Sequence, residues 1–282
     1  MALAIPPAWT EVWISPHANA HIQATGVDAA GRVQYIYHAH WRERMDAQKF
    51  DRMLELAAAL PNARRSATRD LRADGASRER VLAGAFRLLD ASSVRPGAEQ
   101  YTDAHGSFGL TTLLNLHATV HEHTSVELTF PGKSAQPWNS VVDDPDLAAL
   151  IEFLKRRGPR ARLFAWQDGD GTWHSLTGAE LNDDVRSRTG GDFTSKDFRT
   201  LTGTGIAALS LARAGVQSSE ASRKKAVALA MRDAAAELGN TPAIARKSYV
   251  DPRVIDLFTS GVLIDTNGDV TIESRLVALL GG

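Results

Sequence analysis

Residues 191–205 read GDFTSKDFRTLTGTG, and their pattern predicts the start of a helix. Thr194 is a favourable N-cap residue, and Asp197 stands three positions later, where its carboxylate reaches back to complete a capping box. In a helix that begins there, Lys196 and Arg199 lie three residues apart and share one face. A glycine follows one turn later and leaves that face uncrowded. The stretch therefore predicts two cations side by side, next to a place where another group can approach.

The composition is that of an ordinary globular protein. The chain has 282 residues, of which 43% are hydrophobic and 23% charged, so it is long enough for two domains. No apolar run approaches the roughly 20 residues that cross a bilayer, and no N-terminal stretch has the pattern of a secretion signal. Because the chain has no cysteine, disulfides, thiolate zinc sites and a cysteine nucleophile are excluded.

Positive charge is concentrated in two runs, although the formal net charge is only −1. One is RRSATRDLRADGASRER, residues 64–80, and the other is KRRGPRAR, residues 155–162. Runs of this kind are most often solvated faces. The alternative is a basic groove for phosphates, because phosphate binding depends on local rather than net charge.

Short runs rich in β-branched and aromatic residues come first in the chain and predict strands. They are EVWISP at 11–16, HIQATG at 21–26 and RVQYIYH at 32–38. Tyr35 and Tyr37 point to the same side of the third strand, because side chains alternate along a strand. The two tyrosines are predicted either to form a surface together with Gln34 or to pack in a small core.

The pattern changes near residue 47, after the charged and linker-like stretch HWRERMDAQ at 40–48. From KFDRMLELAAAL onward, most segments have the apolar spacing of helices. The exceptions read as hairpins, VELTFPGKSAQPWNSVV at 126–142 and ARLFAWQDGDGTWHSL at 161–176. We therefore predict an α+β protein with a small β-rich domain over residues 1–47 and a larger, mainly α-helical domain with a β-hairpin over 48–282.

The late helices have clear ends. The run SEASRKKAVALAMRDAAAEL stops at Gly239, a suitable residue for the position after a helix. Thr241 can cap the next helix, which has a proline at its first position. This pattern places Asn240 in a tight bend between two helices and Tyr249 near the end of the second one.

Several common catalytic motifs are absent from the sequence: a GxxxxGK[ST] phosphate loop, a GxSxG nucleophile elbow and a dinucleotide fingerprint. His117, His121 and His123 in LHATVHEH suggest a metal site, since two of them are four residues apart. No HExxH pattern accompanies them, and the segment runs into a predicted strand. We therefore predict no metal and no cofactor.

Five polar residues, scattered along the chain, remain as candidate catalytic residues: Arg95, Lys133, Arg199, Asn240 and Tyr249. Taken one at a time, each has an ordinary structural explanation, since arginines usually form ion pairs and helical tyrosines usually pack in a core. Spacing alone does not select these five residues.

Four motifs connect the set to a known family. They are GSFGLTTLLNLHA at 106–118, FPGKS at 130–134, FTSKDFRT at 193–200 and TPAIARKSYVDP at 241–252. Their order resembles that of type IB DNA topoisomerases of the poxvirus and small bacterial kind. IPPAWTEVWI and HIQATGVDAAGRVQYIYH, near the start, look like the DNA-clamping domain of that family, so the resemblance covers nearly the whole chain.

The resemblance implies a role for each member of the set. Tyr249 would be the nucleophile that attacks a DNA phosphodiester and becomes joined to the 3′-phosphate, with release of a 5′-hydroxyl. Arg95 and Arg199 would contact the non-bridging oxygens of that phosphate, and Asn240 would donate to one of them. Lys133, on its hairpin turn, would be the general acid that protonates the 5′-oxygen. The residue types suit these roles, because phosphoryl transfer depends on positioning and on charge stabilisation.

The resemblance also implies DNA-binding residues outside this set: Gln34, Tyr35, Tyr37, Tyr101, His105 and Lys196. The two domains would form a clamp around duplex DNA. Transient cleavage and religation of one strand would relax positive and negative supercoils without ATP or metal. A bacterial, cytoplasmic and nucleoid-associated monomer is implied, with double-stranded DNA as its partner and no membrane. Relatives usually carry further strands before IPPAW, so an N-terminal domain shortened at its start is expected.

Two other functions fit the same residues. A tyrosine recombinase shares the arginine, lysine and tyrosine chemistry, but recombinases typically have a histidine where this chain has Lys196 in KDFR. A DNA-binding protein that keeps the fold without the activity is the second alternative, although all five expected catalytic residues are present.

Overall fold

The computed structural model describes residues 3–99, 102 and 106–281. The chain forms two compact units, Met1–Asp51 and Arg52–Gly282. The first contains a three-stranded sheet, and the second is mainly helical with small sheets. The predicted α+β class is therefore confirmed, while the predicted domain bounds at residues 47 and 48 stay a prediction.

The first unit is built on an antiparallel sheet. Its strands are β1 (Thr10–Ile14), β2 (Ile22–Val27) and β3 (Val33–Tyr37), paired in the order β1-β2-β3, so the three predicted strands are confirmed. Ala24 of the middle strand is fully buried. Gly26 contacts the indole of Trp9, because a Cβ at Gly26 would lie only 2.6 Å from Trp9 Cε3. Glycine at this position therefore lets the ring cover the sheet.

Helix α1 (Ala39–Leu71) is much longer than the helix predicted from residue 49 onward. The stretch at 40–48 is helix rather than a linker, so that prediction is wrong. Its arginine, glutamate, methionine, alanine and glutamine residues are strong helix formers, and charged residues suit a solvated helical face. Asp46 and Lys49 pair across one turn at 3.1 Å, which adds local support.

The second unit contains the rest of α1 and the remaining elements. Its strands are β4 (Ala118–His121), β5 (Ser125–Pro131), β6 (Pro137–Asp143), β7 (Ala165–Gln167) and β8 (Trp173–Ser175). Its further described helices are α2 (Arg78–Ser92), α3 (Pro145–Lys155), α4 (Gly178–Thr189), α5 (Ser195–Ala214), α6 (Glu220–Leu238), α7 (Pro242–Ser248), α8 (Pro252–Thr259) and α9 (Ile272–Leu280). Strands β4, β5 and β6 form one antiparallel sheet, and β7 pairs with β8. Both predicted hairpins are thus confirmed.

Helix α5 carries the stretch with the two cations and begins where the sequence predicts. The Thr194 backbone N–H donates to the Asp197 carboxylate at 2.8 Å, as expected for the capping box. Most of the helix is buried, and its Phe198 packs edge-on against Phe86 of α2, with ring centroids 5.7 Å apart. Close packing on α5 fixes the positions of the polar side chains that it carries.

Arginines of the run at 64–80 connect helices to one another. This structural role differs from both predicted alternatives, a solvated face and a basic groove. Arg64 donates to Asp90 of α2 at 2.7 Å and also pairs with Glu273 of α9. The hydrogen bond to Asp90 is the main reason that the pKa of Arg64 is raised. Arg80 is buried and donates to the carbonyl of Leu71 at 2.9 Å.

In the second basic run, at 155–162, Arg157 has a structural role because it binds backbone carbonyls. Arg157 donates to the carbonyl of Leu154 at 2.9 Å and to that of Arg162 at 2.6 Å. Its guanidinium also lies over the ring of Trp173, 4.4 Å from the ring centre. The side chain therefore joins the C-terminal end of α3 to the segment that follows it.

We expect Arg64→Ala to lower the free energy of unfolding by about 2–3 kcal/mol, because the Asp90 carboxylate, 8% exposed, loses its partner. The matched control is Arg69→Ala, which removes an ion pair with Asp70 from an arginine that is 75% exposed. That change should cost less than about 0.5 kcal/mol. Urea denaturation of both variants measures the difference. Equal effects would show that the Arg64 pair does not hold the helices together.

Candidate active site

Arg199 is a buried cation on α5, with 1% of its surface exposed. Its Nη1 donates to Ser93 O at 2.6 Å and its Nη2 to Leu238 O at 2.7 Å. These carbonyls lie at the C-terminal ends of α2 and α6, where the helix dipole favours positive charge. The Nε–H of Arg199 is buried and has no hydrogen-bond partner among the described residues. The two carbonyls thus fix the side chain in place.

Tyr249 follows α7 as its C-cap residue and lies half-buried beside Arg199. The guanidinium carbon of Arg199 is 5.1 Å from the centre of the Tyr249 ring. Burial alone would raise the pKa of Tyr249, but Arg199, Arg95 and Lys196 together bring it below the ordinary value for tyrosine. The phenol therefore loses its proton more readily than a free tyrosine does.

The uncrowded face predicted beside Gly203 is where the Tyr249 segment packs. A Cβ at Gly203 would lie 3.1 Å from both the Cβ and the carbonyl oxygen of Tyr249. The next residue, Thr204, donates its hydroxyl to Tyr249 O at 3.1 Å and accepts the Asp251 N–H at 3.1 Å. No local sequence pattern indicates this role of Thr204, because the contact joins residues that are 45 positions apart.

Arg95 approaches the same place from the segment after α2. Its Nη2 donates to Asn240 Oδ1 at 2.6 Å and to Gly239 O at 3.0 Å, in the bend between α6 and α7. Burial lowers the pKa of Arg95 to about 10, with a smaller contribution from Arg199, while Tyr249 opposes the change. Asn240 Nδ2 is buried without a partner in the described part of the chain. A second free donor therefore lies in this cluster.

Two glycines fix the backbone that presents Arg95. The Arg95 carbonyl accepts the Leu110 N–H at 2.8 Å. A Cβ at Gly109 would lie 2.7 Å from that carbonyl oxygen and 2.5 Å from the Cα of Gly97. Gly97 itself has φ +85°, a conformation that glycine adopts without strain. The RPG and FGL segments can therefore approach this closely only with glycine at both places.

Lys133 lies exposed on the tip of the β5–β6 hairpin, and its ammonium forms no hydrogen bond or ion pair with any described residue. The next two residues, Ser134 and Ala135, have φ of 59° and 56°, so the tip turns sharply. The structure brings together Arg95, Arg199, Asn240 and Tyr249. Lys196 is exposed on the first turn of α5, and its charge also acts on the phenol.

The predicted DNA-contacting residues of the first unit do not all lie on one side of β3. Tyr35 and Tyr37 are 48% and 39% exposed, and their rings stack with centroids 6.0 Å apart. They form a surface rather than a small core. Gln34 alternates to the opposite side, and its Nε2 donates to Asp28 Oδ2 at 2.9 Å. Tyr101 and His105 lie outside the described residues.

The three histidines of LHATVHEH have separate partners. His117 is buried, and its Nδ1 accepts the Leu114 N–H at 3.1 Å. His121 pairs with Glu127 at 2.8 Å, and His123 lies within 2.5 Å of a carboxylate on α3. In the described ranges, no three histidine, aspartate or glutamate side chains are placed to hold a metal ion. None of the described helices combines the length and the apolar character that crossing a bilayer requires.

Known proteins with similar sequences are DNA topoisomerases. The family described as "Eukaryotic DNA topoisomerase I, catalytic core" matches residues 38–257, and the family described as "Bacterial DNA topoisomerase IB, N-terminal domain" matches residues 1–28. The DNA topoisomerase 1B of Acanthamoeba polyphaga mimivirus is 30% identical over 263 residues, which are 91% of this chain and 78% of that protein. The DNA topoisomerase 1 of Mycosarcoma maydis is 25% identical over 134 residues, 45% of this chain and 13% of that protein.

These matches cover both units and agree with the motifs that carry the resemblance. The catalytic-core match includes the cluster of arginines, asparagine and tyrosine as well as the hairpin lysine. The family predicted from the motifs is therefore confirmed. The chain belongs to the type IB DNA topoisomerases, the enzymes that relax supercoiled DNA.

Proposed function

We propose that Tyr249 cleaves one strand of duplex DNA and holds its 3′ end as a phosphotyrosyl ester. The phenol gives up its proton to solvent, and its oxygen attacks the phosphorus. The P–O5′ bond breaks, and the bonding electron pair leaves with the 5′-oxygen. The observation that carries the proposal is the position of the phenol, packed on α5 against Arg199, where nearby cations lower its pKa.

Two unpartnered donors support binding of the phosphate at this place. Arg199 Nε and Asn240 Nδ2 are both buried without acceptors among the residues described. A buried donor without an acceptor costs free energy, and a ligand that provides acceptors for both would remove that cost. Non-bridging phosphate oxygens would accept from both, and Arg95 would add a charge-assisted hydrogen bond. These donors stabilise the charge that spreads over the oxygens in the transition state.

Lys133 would supply the proton that the departing 5′-oxygen needs. An alkoxide is a poor leaving group, and a positioned general acid contributes about 10²–10⁴-fold to the rate. The exposed hairpin tip supports this role, because the Lys133 ammonium is not engaged with any described side chain. Lys196 would assist by holding the phenol in its ionised form and by contacting DNA.

The phosphotyrosyl ester stores the energy of the broken bond, so religation would need neither ATP nor a metal. While the 5′ end is free, torsional stress turns the duplex about the intact strand. Positive and negative supercoils would both relax in this way. One chain carries every residue of the proposed set, which supports a monomer as the active form.

The exposed rings of Tyr35 and Tyr37 support a DNA-contacting role for the first unit. In the proposed assembly, an N-terminal domain over residues 1–47 and a catalytic domain over 48–282 close around the duplex as a clamp. Gln34, Tyr101 and His105 complete the proposed set of contacts.

We expect Tyr249→Phe to abolish the covalent protein–DNA adduct, because phenylalanine has no oxygen to attack the phosphorus. Relaxation of supercoiled plasmid in EDTA without ATP should be lost as well, whereas salt-sensitive DNA binding should remain. The control Tyr35→Phe keeps an aromatic ring on the proposed DNA-contacting surface and should still form the adduct. Denaturing gels of protein trapped on DNA measure the outcome.

Equal trapping by Tyr249→Phe and the unchanged protein would contradict the assignment of the nucleophile. Recombination only between paired sites, with no plasmid relaxation, would indicate a tyrosine recombinase. DNA binding with neither adduct nor relaxation in the unchanged protein would indicate a non-catalytic DNA-binding protein.

We expect Lys196→Met to move the pH dependence of cleavage toward higher pH. Lys196 is one of the cations that lower the pKa of Tyr249, so its removal raises that pKa and delays formation of the phenolate. A shift of about 0.5 pH units is expected for the loss of one exposed charge. Single-turnover cleavage measured across pH tests this, with Lys225→Met on the exposed side of α6 as the control. An unmoved profile for Lys196→Met would show that this lysine does not act on the phenol.

A further inference from the structure

The indole of Trp138 packs the β5–β6 hairpin against the bend between α6 and α7. Trp138 is 8% exposed and lies at the second position of β6. Its Cζ3 and Cε3 atoms are 3.0 and 3.3 Å from the point that a Cβ at Gly239 would occupy. Gly239 has φ +56°, so glycine both permits this bend and leaves room for the ring.

The other surroundings of the indole fix its orientation. Its ring stacks on that of Phe130, the residue opposite it on β5, with centroids 6.2 Å apart and an angle of 25° between the planes. Its Nε1 donates to Ser140 Oγ at 3.1 Å. Two rigid contacts and one hydrogen bond therefore hold the side chain in one position.

Trp138 is also close in the chain to the proposed general acid. Only the pair Pro131–Pro137 lies between the Phe130–Trp138 pair and the tip of the hairpin. The tip itself is closed by the Gly132 N–H, which donates to Gln136 O at 2.8 Å. Lys133 occupies this tip, so a shift of the indole moves the base of the turn that carries the ammonium.

The bend on the other side of the indole belongs to the proposed phosphate site. Gly239 O and Asn240 Oδ1 both accept from Arg95 Nη2. The Trp138 ring thus lies between the hairpin tip and the residues that would bind the non-bridging oxygens. Its contact with Gly239 sets the separation of these two parts of the site.

We propose that Trp138 is a positioning residue for Lys133: it holds the hairpin so that the lysine ammonium reaches the departing 5′-oxygen. This inference rests on the proposed function of Lys133 as general acid. Trp138 touches neither phosphate nor leaving group in this role, and acts only through the hairpin. Its loss should therefore slow the step that needs a proton and spare a reaction in which the leaving group needs none.

The test compares two DNA substrates in single-turnover cleavage. One has the ordinary 5′-oxygen at the cleavage site, and the other has a bridging 5′-sulfur, which leaves as a thiolate with the bonding electron pair and needs no protonation. Trp138→Ala should cleave the oxygen substrate about 30- to 100-fold more slowly, a smaller loss than most of the about 10²–10⁴-fold range for removal of a general acid, because the lysine itself remains. The same variant should cleave the sulfur substrate within about threefold of the unchanged protein. Trp138→Phe, which keeps a ring against Gly239, should recover most of the loss.

Two controls make the result specific. Lys133→Ala should show the same selective loss on the oxygen substrate, because it removes the acid itself. Trp173→Ala removes a tryptophan from β8, which contacts Arg157, and should leave both substrates unaffected. Cleavage of the sulfur substrate also shows that each variant is folded.

The outcomes separate the two proposals. Equal loss on both substrates for Trp138→Ala, with selective loss for Lys133→Ala, would overturn the role of Trp138 and leave the acid in place. No loss for Trp138→Ala on the oxygen substrate would overturn it too. Equal loss on both substrates for Lys133→Ala would overturn the proposed acid, and the positioning role would fall with it.

Discussion

A buried guanidinium needs hydrogen-bond acceptors. Arg199 donates to Ser93 O and Leu238 O, which lie at the ends of two helices. Both acceptors are neutral, so they hold the side chain without cancelling its charge. Arg64 is held differently, because its partner Asp90 is a carboxylate that compensates the charge. A cation held by carbonyls leaves positive potential for a phosphate, whereas a cation held by a carboxylate contributes to the fold.

The two helix ends that hold Arg199 also determine where the other donors lie. Two residues after Ser93 comes Arg95, and two residues after Leu238 comes Asn240, so both side chains start close to the carbonyls that bind the central guanidinium. The hydrogen bond from Arg95 to Asn240 then joins the two segments at 2.6 Å. The protein's own hydrogen bonds therefore hold the proposed phosphate site together, and its geometry depends on where α2 and α6 end.

Features that depend on neighbours in sequence were predictable, and features that depend on packing were not. The capping box at Thr194 and the bend after Gly239 use residues within one helical turn, and both were predicted. The linker predicted at 40–48 is wrong, because charged residues are common both to linkers and to solvated helices. Thr204 and Trp138 contact residues far along the chain, for which a single sequence has no spacing signal. The catalytic set itself came from the order of family motifs, because each member taken alone has an ordinary structural explanation.

The hydroxyl of Thr204 has a mechanical consequence. It joins the backbone of Tyr249 to α5 and also accepts from Asp251, which caps the start of α8. Tension from a DNA end attached to the phenol would pass through these hydrogen bonds into two helices instead of pulling on a loose connection. The backbone at Tyr249 would then stay in place while the duplex rotates. The attached 3′ end of the strand would remain close to the free 5′ end that it must rejoin.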